Sequence, residues 1–224
     1  MTADKETPGR VAAVAARLAA AYGAPRRGRA PSPFAELVAT VLSQNTTDVN
    51  SARTFAALRR RFPRWEDLAG ADVRAVAAAI RGGGLADVKA RYLKALTREV
   101  LRRRGSLRLS FLKGLGDAEA LAWLEGLPGV GAKTARVVLL FALGRDVFPV
   151  DTHVLRLTRR LGFVGAREGA AAAHRFWDEY CPPGRAAELH LNLIRHGREV
   201  CRAHRPACGA CVLAEVCPSR GSFL

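Results

Sequence analysis

Leu127-Pro128-Gly129-Val130-Gly131-Ala132-Lys133-Thr134 is a glycine-rich turn that runs directly into an apolar segment, Ala135 to Leu143. Two glycines separated by one residue allow a tight turn with positive φ and let another backbone approach closely. The first N–H groups of the following helix have no intrahelical partner and carry the positive end of its dipole, which suits a phosphate oxygen. The stretch therefore predicts a backbone grip on phosphate with Lys133 beside it. A simple connector between two helices is the alternative.

Apolar residues recur at helical spacing on both sides of this turn. No pair of segments alternates as the strands of a sheet do. The predicted helices are marked by Val11, Val14, Leu18 and Tyr22, by the run 34–42, by Phe55, Leu58 and Phe62, by Val73, Val76 and Ile80, by Val88, Tyr92 and Leu96, by Leu121 and Leu124, and by runs after positions 151, 168 and 185. The pattern predicts an all-α protein.

Helix boundaries are indicated by polar and glycine-rich residues. Asp48, Asp117 and Asp151 stand where N-caps are expected. The run 82–84 consists of three glycines and predicts a sharp break. A basic, proline-broken stretch from Pro25 to Pro33, with arginines at 26, 27 and 29, is a candidate linker.

The charge balance points to a polyanionic partner. The 224 residues include 36 Lys plus Arg against 20 Asp plus Glu, a formal net charge of +16. Nucleic acid is the leading candidate, and a compositional bias of the genome is the alternative. Charged residues interrupt every apolar stretch before it is long enough to span a membrane, and the acidic start of the chain is unlike a signal peptide. We expect a cytoplasmic protein with no membrane partner.

Four of the five cysteines lie near the end of the chain as C-x6-C-x2-C-x5-C: Cys201, Cys208, Cys211 and Cys217. Four thiols so close in sequence can surround one tetrahedral or cubane metal centre. Structural zinc usually has two short paired spacings, whereas only one pair is short here. The basic residues Arg202, His204 and Arg205 lie between the first two cysteines. We expect this loop to contact a DNA backbone. Cys181 is a spare thiol with no predicted role.

These motifs together resemble the endonuclease III family, helix-hairpin-helix DNA glycosylases that hold a [4Fe-4S] cluster. The resemblance rests on the segment 127–135, on Val150-Asp151-Thr152-His153 and on the four terminal cysteines. The sequence separation between Lys133 and Asp151 is the one that the family pattern requires. The resemblance implies a six-helix barrel domain with the helix-hairpin-helix over 35–144. A second helical domain with the cluster would combine 1–34 and 145–224, with zinc as the alternative metal.

The resemblance also implies roles for individual residues. Lys133 is the expected nucleophile and Asp151 the catalytic carboxylate, although Lys133 could be only a phosphate contact and Asp151 only an N-cap. The backbone of Gly129, Val130 and Gly131 is expected to hold phosphate. Asn45 stands where many members have a glutamine that fills the gap left by the extruded base, and Leu85 resembles the residue that enters the duplex from the minor groove. A core leucine is the alternative for Leu85.

The lysine chemistry sets an energetic requirement. An amine attacks only when neutral, and lowering a lysine pKa from about 10.4 to about 7 requires about 4.6 kcal/mol. A helix N-terminus contributes about 0.3–1 kcal/mol. Burial or proton transfer toward Asp151 must therefore supply the remainder.

We expect a monomeric DNA glycosylase and apurinic/apyrimidinic-site lyase that removes oxidised pyrimidines from double-stranded DNA. The expected steps are a lysine Schiff base and β-elimination, and abasic sites in duplex DNA are expected as a further substrate. Two alternatives remain: a non-catalytic DNA-binding protein with a structural zinc, and an abasic-site lyase with weak glycosylase activity.

Overall fold

The computed structural model describes residues 6–25, 28 and 30–223, and this part of the chain contains eleven α-helices and no β-strand. The predicted all-α fold is confirmed. The helices are α1 (Thr7–Tyr22), α2 (Pro33–Ser43), α3 (Asp48–Arg61), α4 (Asp67–Gly70), α5 (Val73–Ala79), α6 (Ala86–Arg104), α7 (Asp117–Glu125), α8 (Ala132–Val137), α9 (Thr152–Arg160), α10 (Ala170–Tyr180) and α11 (Ala186–Glu199). The three arginines of the predicted linker, Arg26, Arg27 and Arg29, lie outside the described residues.

The chain divides into two compact units. The hairpin unit is Ala30–Gly144, and the cysteine unit combines Met1–Arg29 with Arg145–Leu224. Within the described residues, none of the helices is both long enough and apolar enough to cross a membrane.

The hairpin unit is built around α2. Its apolar side chains Phe34, Leu37, Val38, Val41 and Leu42 are buried. The helix packs against α3, α6 and α8 and against the π-helix Val138–Ala142 that continues α8. Ser32 caps it, because the Ser32 hydroxyl accepts a hydrogen bond from the Ala35 amide at 3.3 Å.

The cysteine unit packs α11 against α9 and α1. Trp177 is fully buried, stacks on Phe148 at 4.7 Å between ring centroids, and donates its indole N–H to the Thr158 hydroxyl at 2.8 Å. Arg10 on α1 donates to the Leu161 carbonyl at 2.6 Å. This unit therefore joins the described residues near both ends of the chain.

One of the three predicted N-caps is confirmed, and two are wrong by one position. Asp151 caps α9 through a 2.7 Å hydrogen bond from the Val154 amide to its carboxylate. The cap of α3 is Thr47 and the cap of α7 is Gly116, since both have the extended backbone that a cap requires. Asp48 and Asp117 instead begin their helices, where the dipole also favours a carboxylate.

Candidate functional site

The glycine-rich turn connects α7 to α8, and its two glycines have different conformations. Gly129 has φ of +75°, whereas Gly131 has φ of −103° and is extended, so the prediction of positive φ holds for Gly129 alone. A Cβ on Gly129 would lie 3.0 Å from Cγ of Tyr92. Val130 between them is buried and donates its amide to the Leu127 carbonyl at 3.1 Å. The two glycines themselves are exposed.

Lys133 is the second residue of α8, and its side chain is half-buried. The helix is capped by Gly131, so its first amides have no intrahelical acceptor. The hairpin unit therefore presents an amine directly beside an exposed turn whose backbone N–H groups suit an anion.

Glu36 on α2 is a carboxylate that the sequence interpretation did not select. Burial raises the pKa of Glu36, while the hydrogen bond from Thr40 and the charge of Lys133 oppose that rise. Because electrostatic interactions are reciprocal, the Glu36 carboxylate favours the protonated form of Lys133. The one signal in the sequence was a single acidic residue in an otherwise apolar helix.

Asn45 and Leu85 lie in two turns of the hairpin unit and share an unusual conformation. Asn45 has φ of 52° and Leu85 has φ of 51°, the left-handed region that residues other than glycine rarely adopt. Leu85 is 55% exposed, so the alternative of a core leucine is wrong. A large apolar side chain held in solvent is the type of group that enters a duplex between bases.

Asp151 lies in the cysteine unit, whereas Lys133 lies in the hairpin unit. The Asp151 carboxylate caps α9, which fixes its orientation. Burial lowers the pKa of Arg156 one turn later, and the charge of Asp151 opposes that effect. The cap is therefore real, and it also holds the carboxylate at a defined position.

The four terminal cysteines line one cavity together with Arg160, Pro206 and Ser219. Burial raises the pKa of Cys211 and of Cys217, and the charges of the other thiols act in the same direction. The sequence motif is therefore gathered in space, with four thiols around one small volume.

The basic loop 201–207 is held by two arginines of α9 that the sequence interpretation missed. Arg156 donates to the carbonyls of Cys201 at 2.9 Å and Gly197 at 2.7 Å. Arg160 donates to the Arg202 carbonyl at 2.8 Å and contacts the Cys201 Sγ at 3.2 Å. Their i, i+4 spacing on one helix face was the available signal.

The three basic side chains predicted to contact DNA all lie on this loop and are exposed: Arg202, His204 and Arg205. Arg205 has φ of 48°, and its carbonyl accepts from the Arg202 guanidinium at 3.3 Å. The loop therefore presents positive charge to solvent while its backbone is tied to α9.

The family model for HhH-GPD superfamily base excision DNA repair proteins matches residues 38–183. Endonuclease III from Sulfolobus acidocaldarius is 32% identical over 192 residues, which cover 85% of this chain and 83% of that protein. The chain belongs to the endonuclease III family. A putative DNA glycosylase from Arabidopsis thaliana is 38% identical over 72% of this chain, and the match spans only 55% of the plant protein.

A solved structure of a trapped endonuclease III–DNA covalent intermediate, an estranged-adenine complex, has the same fold. Its TM-score is 0.83 at 27% sequence identity, with 96% of this chain and 98% of that chain covered. The family assignment therefore rests on sequence and on structure.

The endonuclease III relatives imply an iron–sulfur cluster, and the cysteine cavity fits one. In the described part of the chain, no three His, Cys, Asp or Glu side chains are arranged to hold a single metal ion. The four sulfurs nevertheless share one cavity, which suits a larger group. A bound metal centre would favour the thiolate form of these cysteines, because a cation stabilises the charge that burial disfavours.

The contact of His196 with one of the four cysteines was not predicted. His196 on α11 lies between the Tyr22 hydroxyl, 2.8 Å from its Nδ1, and the Cys211 Sγ, 3.3 Å from its Nε2. Burial lowers the pKa of His196 to about 4, so the ring is neutral at physiological pH. The fifth cysteine, Cys181, does not line the cavity of the other four, and burial raises its pKa to about 12, which keeps it a thiol.

Proposed function

We propose that this base excision repair glycosylase and lyase removes oxidised pyrimidines from duplex DNA, with Lys133 as nucleophile and Asp151 as catalytic carboxylate. The observation that carries the proposal is the position of Lys133. It is the second residue of the helix that follows an exposed Gly129–Gly131 turn. The chain also shares its fold with a trapped covalent protein–DNA intermediate, and a lysine amine is one of the side chains that form such intermediates.

The proposed reaction begins with extrusion of the damaged nucleotide from the helix. The neutral amine of Lys133 attacks C1′ of the sugar, the glycosidic C–N bond breaks, and the base leaves with the bonding electron pair; as the imine forms, one amine proton goes to the base and the other to the ring oxygen. Opening of the sugar ring leaves an imine between Lys133 and C1′. Loss of a proton from C2′ then expels the 3′ phosphate, so that the strand is cut on the 3′ side, and hydrolysis releases the lysine.

The proton on Lys133 is the main electrostatic obstacle. The helix N-terminus provides about 0.3–1 kcal/mol of the roughly 4.6 kcal/mol required. Glu36 acts in the wrong direction, because its negative charge favours the ammonium. We therefore assign acceptance of the proton to Asp151, together with desolvation of the amine when DNA is bound.

DNA binding is assigned to three features with separate duties. The backbone amides of Gly129 and Gly131 hold phosphate without reading sequence, whereas the predicted Val130 amide already donates to the Leu127 carbonyl. Asn45 and Leu85 enter the duplex beside the extruded base. The basic loop 201–207 adds charge contacts to the backbone, and such contacts release counterions, so affinity should fall steeply with salt.

The cluster is proposed to be [4Fe-4S], held by Cys201, Cys208, Cys211 and Cys217. When bound, it joins four points of the chain between 201 and 217. Arg160, which contacts both Cys201 Sγ and the loop carbonyls, transmits that restraint to the basic residues.

A panel of single-lesion duplexes tests the substrate class. Wild type and Lys133→Ala are compared on an oxidised thymine, an oxidised cytosine, 8-oxoguanine, an adenine mispair and a pre-formed abasic site. Base release and strand cleavage are measured separately. We expect wild type to act on both pyrimidine lesions and on the abasic site, and Lys133→Ala to cut none of them.

The remaining outcomes separate the other functions. Cleavage of the abasic site alone would indicate a lyase with weak glycosylase activity. Binding without any cleavage, with zinc in metal analysis and no visible absorption band, would indicate a non-catalytic DNA-binding protein. Preference for 8-oxoguanine or for the adenine mispair would contradict the proposed substrate class.

A further inference from the structure

Lys89 on α6 is a buried cation for which the proposed reaction has no use. Its side chain is 2% exposed, and its ammonium donates to the carbonyl of Leu42 at 2.8 Å and to the carbonyl of Gly83 at 2.7 Å. Within the described residues no carboxylate pairs with it, and burial lowers the pKa of Lys89. Burying an unpaired ammonium is costly, so its retention calls for a specific role.

One acceptor carbonyl lies in the last turn of α2, which leads into the turn with Asn45, and the other lies in the turn with Leu85. Leu42 is near the end of α2, shortly before Asn45. Gly83 ends a short 3₁₀ turn, shortly before Leu85. One ammonium therefore ties together two segments that are far apart in the sequence.

The same two turns also lie close to each other. A Cβ on Gly84 would lie 3.6 Å from the Asn45 carbonyl oxygen. Gly83 has no room for a side chain, because a Cβ there would lie 2.9 Å from the Thr54 hydroxyl of α3. We call residues 43–47 and 82–85 the paired turns, and Lys89 lies beneath both.

We propose that Lys89 is a positioning residue that fixes the separation of Asn45 and Leu85, so that both side chains enter the duplex together when a base is extruded. This inference rests on the proposed function of those two residues. Side chains that enter a base stack must separate two bases, which costs free energy. If Asn45 and Leu85 are already held in position, binding does not have to supply an additional conformational entropy cost for ordering them.

The chemistry of the side chain suits this role. An ammonium has three donors and can hold carbonyls from separate segments at once, through charge-assisted hydrogen bonds. Methionine has nearly the same length and volume but donates no hydrogen bond. Lys89→Met therefore keeps the packing while leaving the Leu42 and Gly83 carbonyls without this donor.

The test compares Lys89→Met with Lys94→Met on the same helix. Lys94 also donates to a backbone carbonyl, that of Ala71 at 2.5 Å, but this contact is not with the paired turns. Each variant is assayed for single-turnover excision from a lesion duplex, and for borohydride trapping on a single-stranded oligonucleotide with a pre-formed abasic site. Trapping on the single strand requires the Lys133 amine, but it does not require Asn45 and Leu85 to enter a base stack.

We expect Lys89→Met to lower duplex excision by about tenfold or more, because two charge-assisted hydrogen bonds are lost and each corresponds to at least about a tenfold factor. Trapping on the single strand should stay within about twofold of wild type. In a duplex with 2-aminopurine next to the lesion, the fluorescence increase on binding should be smaller than with wild type. Lys94→Met should match wild type in all three measurements.

Equal losses on the duplex and on the single strand would overturn the proposal, as would unchanged duplex excision. If Lys89→Met does not melt cooperatively, Lys89→Arg is measured instead. It keeps the charge but holds the carbonyls farther apart, so the same selective loss on the duplex is expected. Failure of wild type to form any trapped adduct would instead contradict the proposed function, which distinguishes the two failures.

Discussion

The two glycines of the turn before Lys133 should respond to the same substitution in different ways. Gly129 has φ of +75°, and a Cβ there would lie 3.0 to 3.3 Å from three atoms of Tyr92. Gly131 has φ of −103°, and a Cβ there has nothing within 4 Å. Gly129→Ala and Gly131→Ala therefore add one methyl group each to neighbouring positions with opposite structural demands.

The expected magnitude follows from the backbone. A left-handed conformation costs a residue other than glycine about 1–2 kcal/mol. The contact with Tyr92 adds less, because this ring is 42% exposed and can move aside. Gly129→Ala should therefore lower the free energy of unfolding by about 1–2 kcal/mol, which corresponds to a melting temperature about 2–8 °C lower.

Gly131→Ala should leave the free energy of unfolding within about 0.5 kcal/mol of wild type, because the entropy lost by the unfolded chain offsets the loss of a favourable N-cap glycine. Its effect should be on DNA instead. The methyl group stands where phosphate must approach the backbone, so affinity for duplex should fall.

Thermal melting and a duplex-binding titration at fixed salt measure both effects. If Gly131→Ala proves as destabilising as Gly129→Ala, the conformational reasoning is wrong. If Gly131→Ala folds normally and binds DNA as well as wild type, the backbone of this turn does not hold phosphate.

Three further predictions concern the carboxylate near Lys133 and the cysteine unit. Burial raises the pKa of Glu36, so the folded protein binds that proton more tightly than the unfolded chain and loses stability as pH rises from the ordinary carboxyl value to the raised one. Glu36→Gln should therefore gain stability relative to wild type in denaturant titrations as pH rises above the ordinary carboxyl value. The rising limb of the pH profile for trapping should move to lower pH, and an unchanged profile would contradict the proposed effect of Glu36 on Lys133. Cys211→Ser should lose iron in metal analysis, whereas Cys181→Ser should retain it, and equal iron in both variants would contradict the ligand assignment. In the presence of a chelator, the visible absorption band of Arg160→Met should decay faster than that of Arg159→Met. The control variant Arg159→Met loses a hydrogen bond to the Glu168 carbonyl instead. Equal decay rates in the two variants would contradict the role given to Arg160.

The helical periodicity in the sequence was sufficient to predict the all-α fold. The cap of α9 was predictable because Asp151 directly precedes an apolar run and supplies the expected hydrogen bond. The caps of α3 and α7 were displaced by one position, because aspartate is favourable both as a cap and in the first turn. Spacing alone does not distinguish those two positions.

Tertiary packing decided what local pattern could not. Tyr92 was predicted on the apolar face of α6, yet it is exposed and covers Gly129, while Lys89 occupies the buried face. Lysine is almost never fully buried, so a sequence pattern assigns it to solvent. Its two acceptors are backbone carbonyls, one at the end of α2 and one in a turn, and a side-chain pattern does not show where such carbonyls lie.

Some parts of the candidate site could be predicted from the sequence and others could not. The cysteine spacing predicted a metal centre because the four ligands are close in sequence. Glu36, by contrast, lies far before Lys133 in the sequence, and only the packing of α2 against α8 makes its charge relevant. The arginines that hold the basic loop were hidden for the same reason, since their acceptors are main-chain carbonyls of distant segments.

The most direct test of the central claim is borohydride trapping on a lesion-containing duplex, followed by mass-spectrometric location of the adduct. Wild type, Lys133→Ala and the control Lys113→Ala, which removes one exposed lysine of the same unit, are compared at equal protein concentration. We expect an adduct on Lys133 in wild type and in Lys113→Ala, and no adduct in Lys133→Ala. A trapped adduct of normal yield in Lys133→Ala, or an adduct on any other lysine of the wild type, would contradict it.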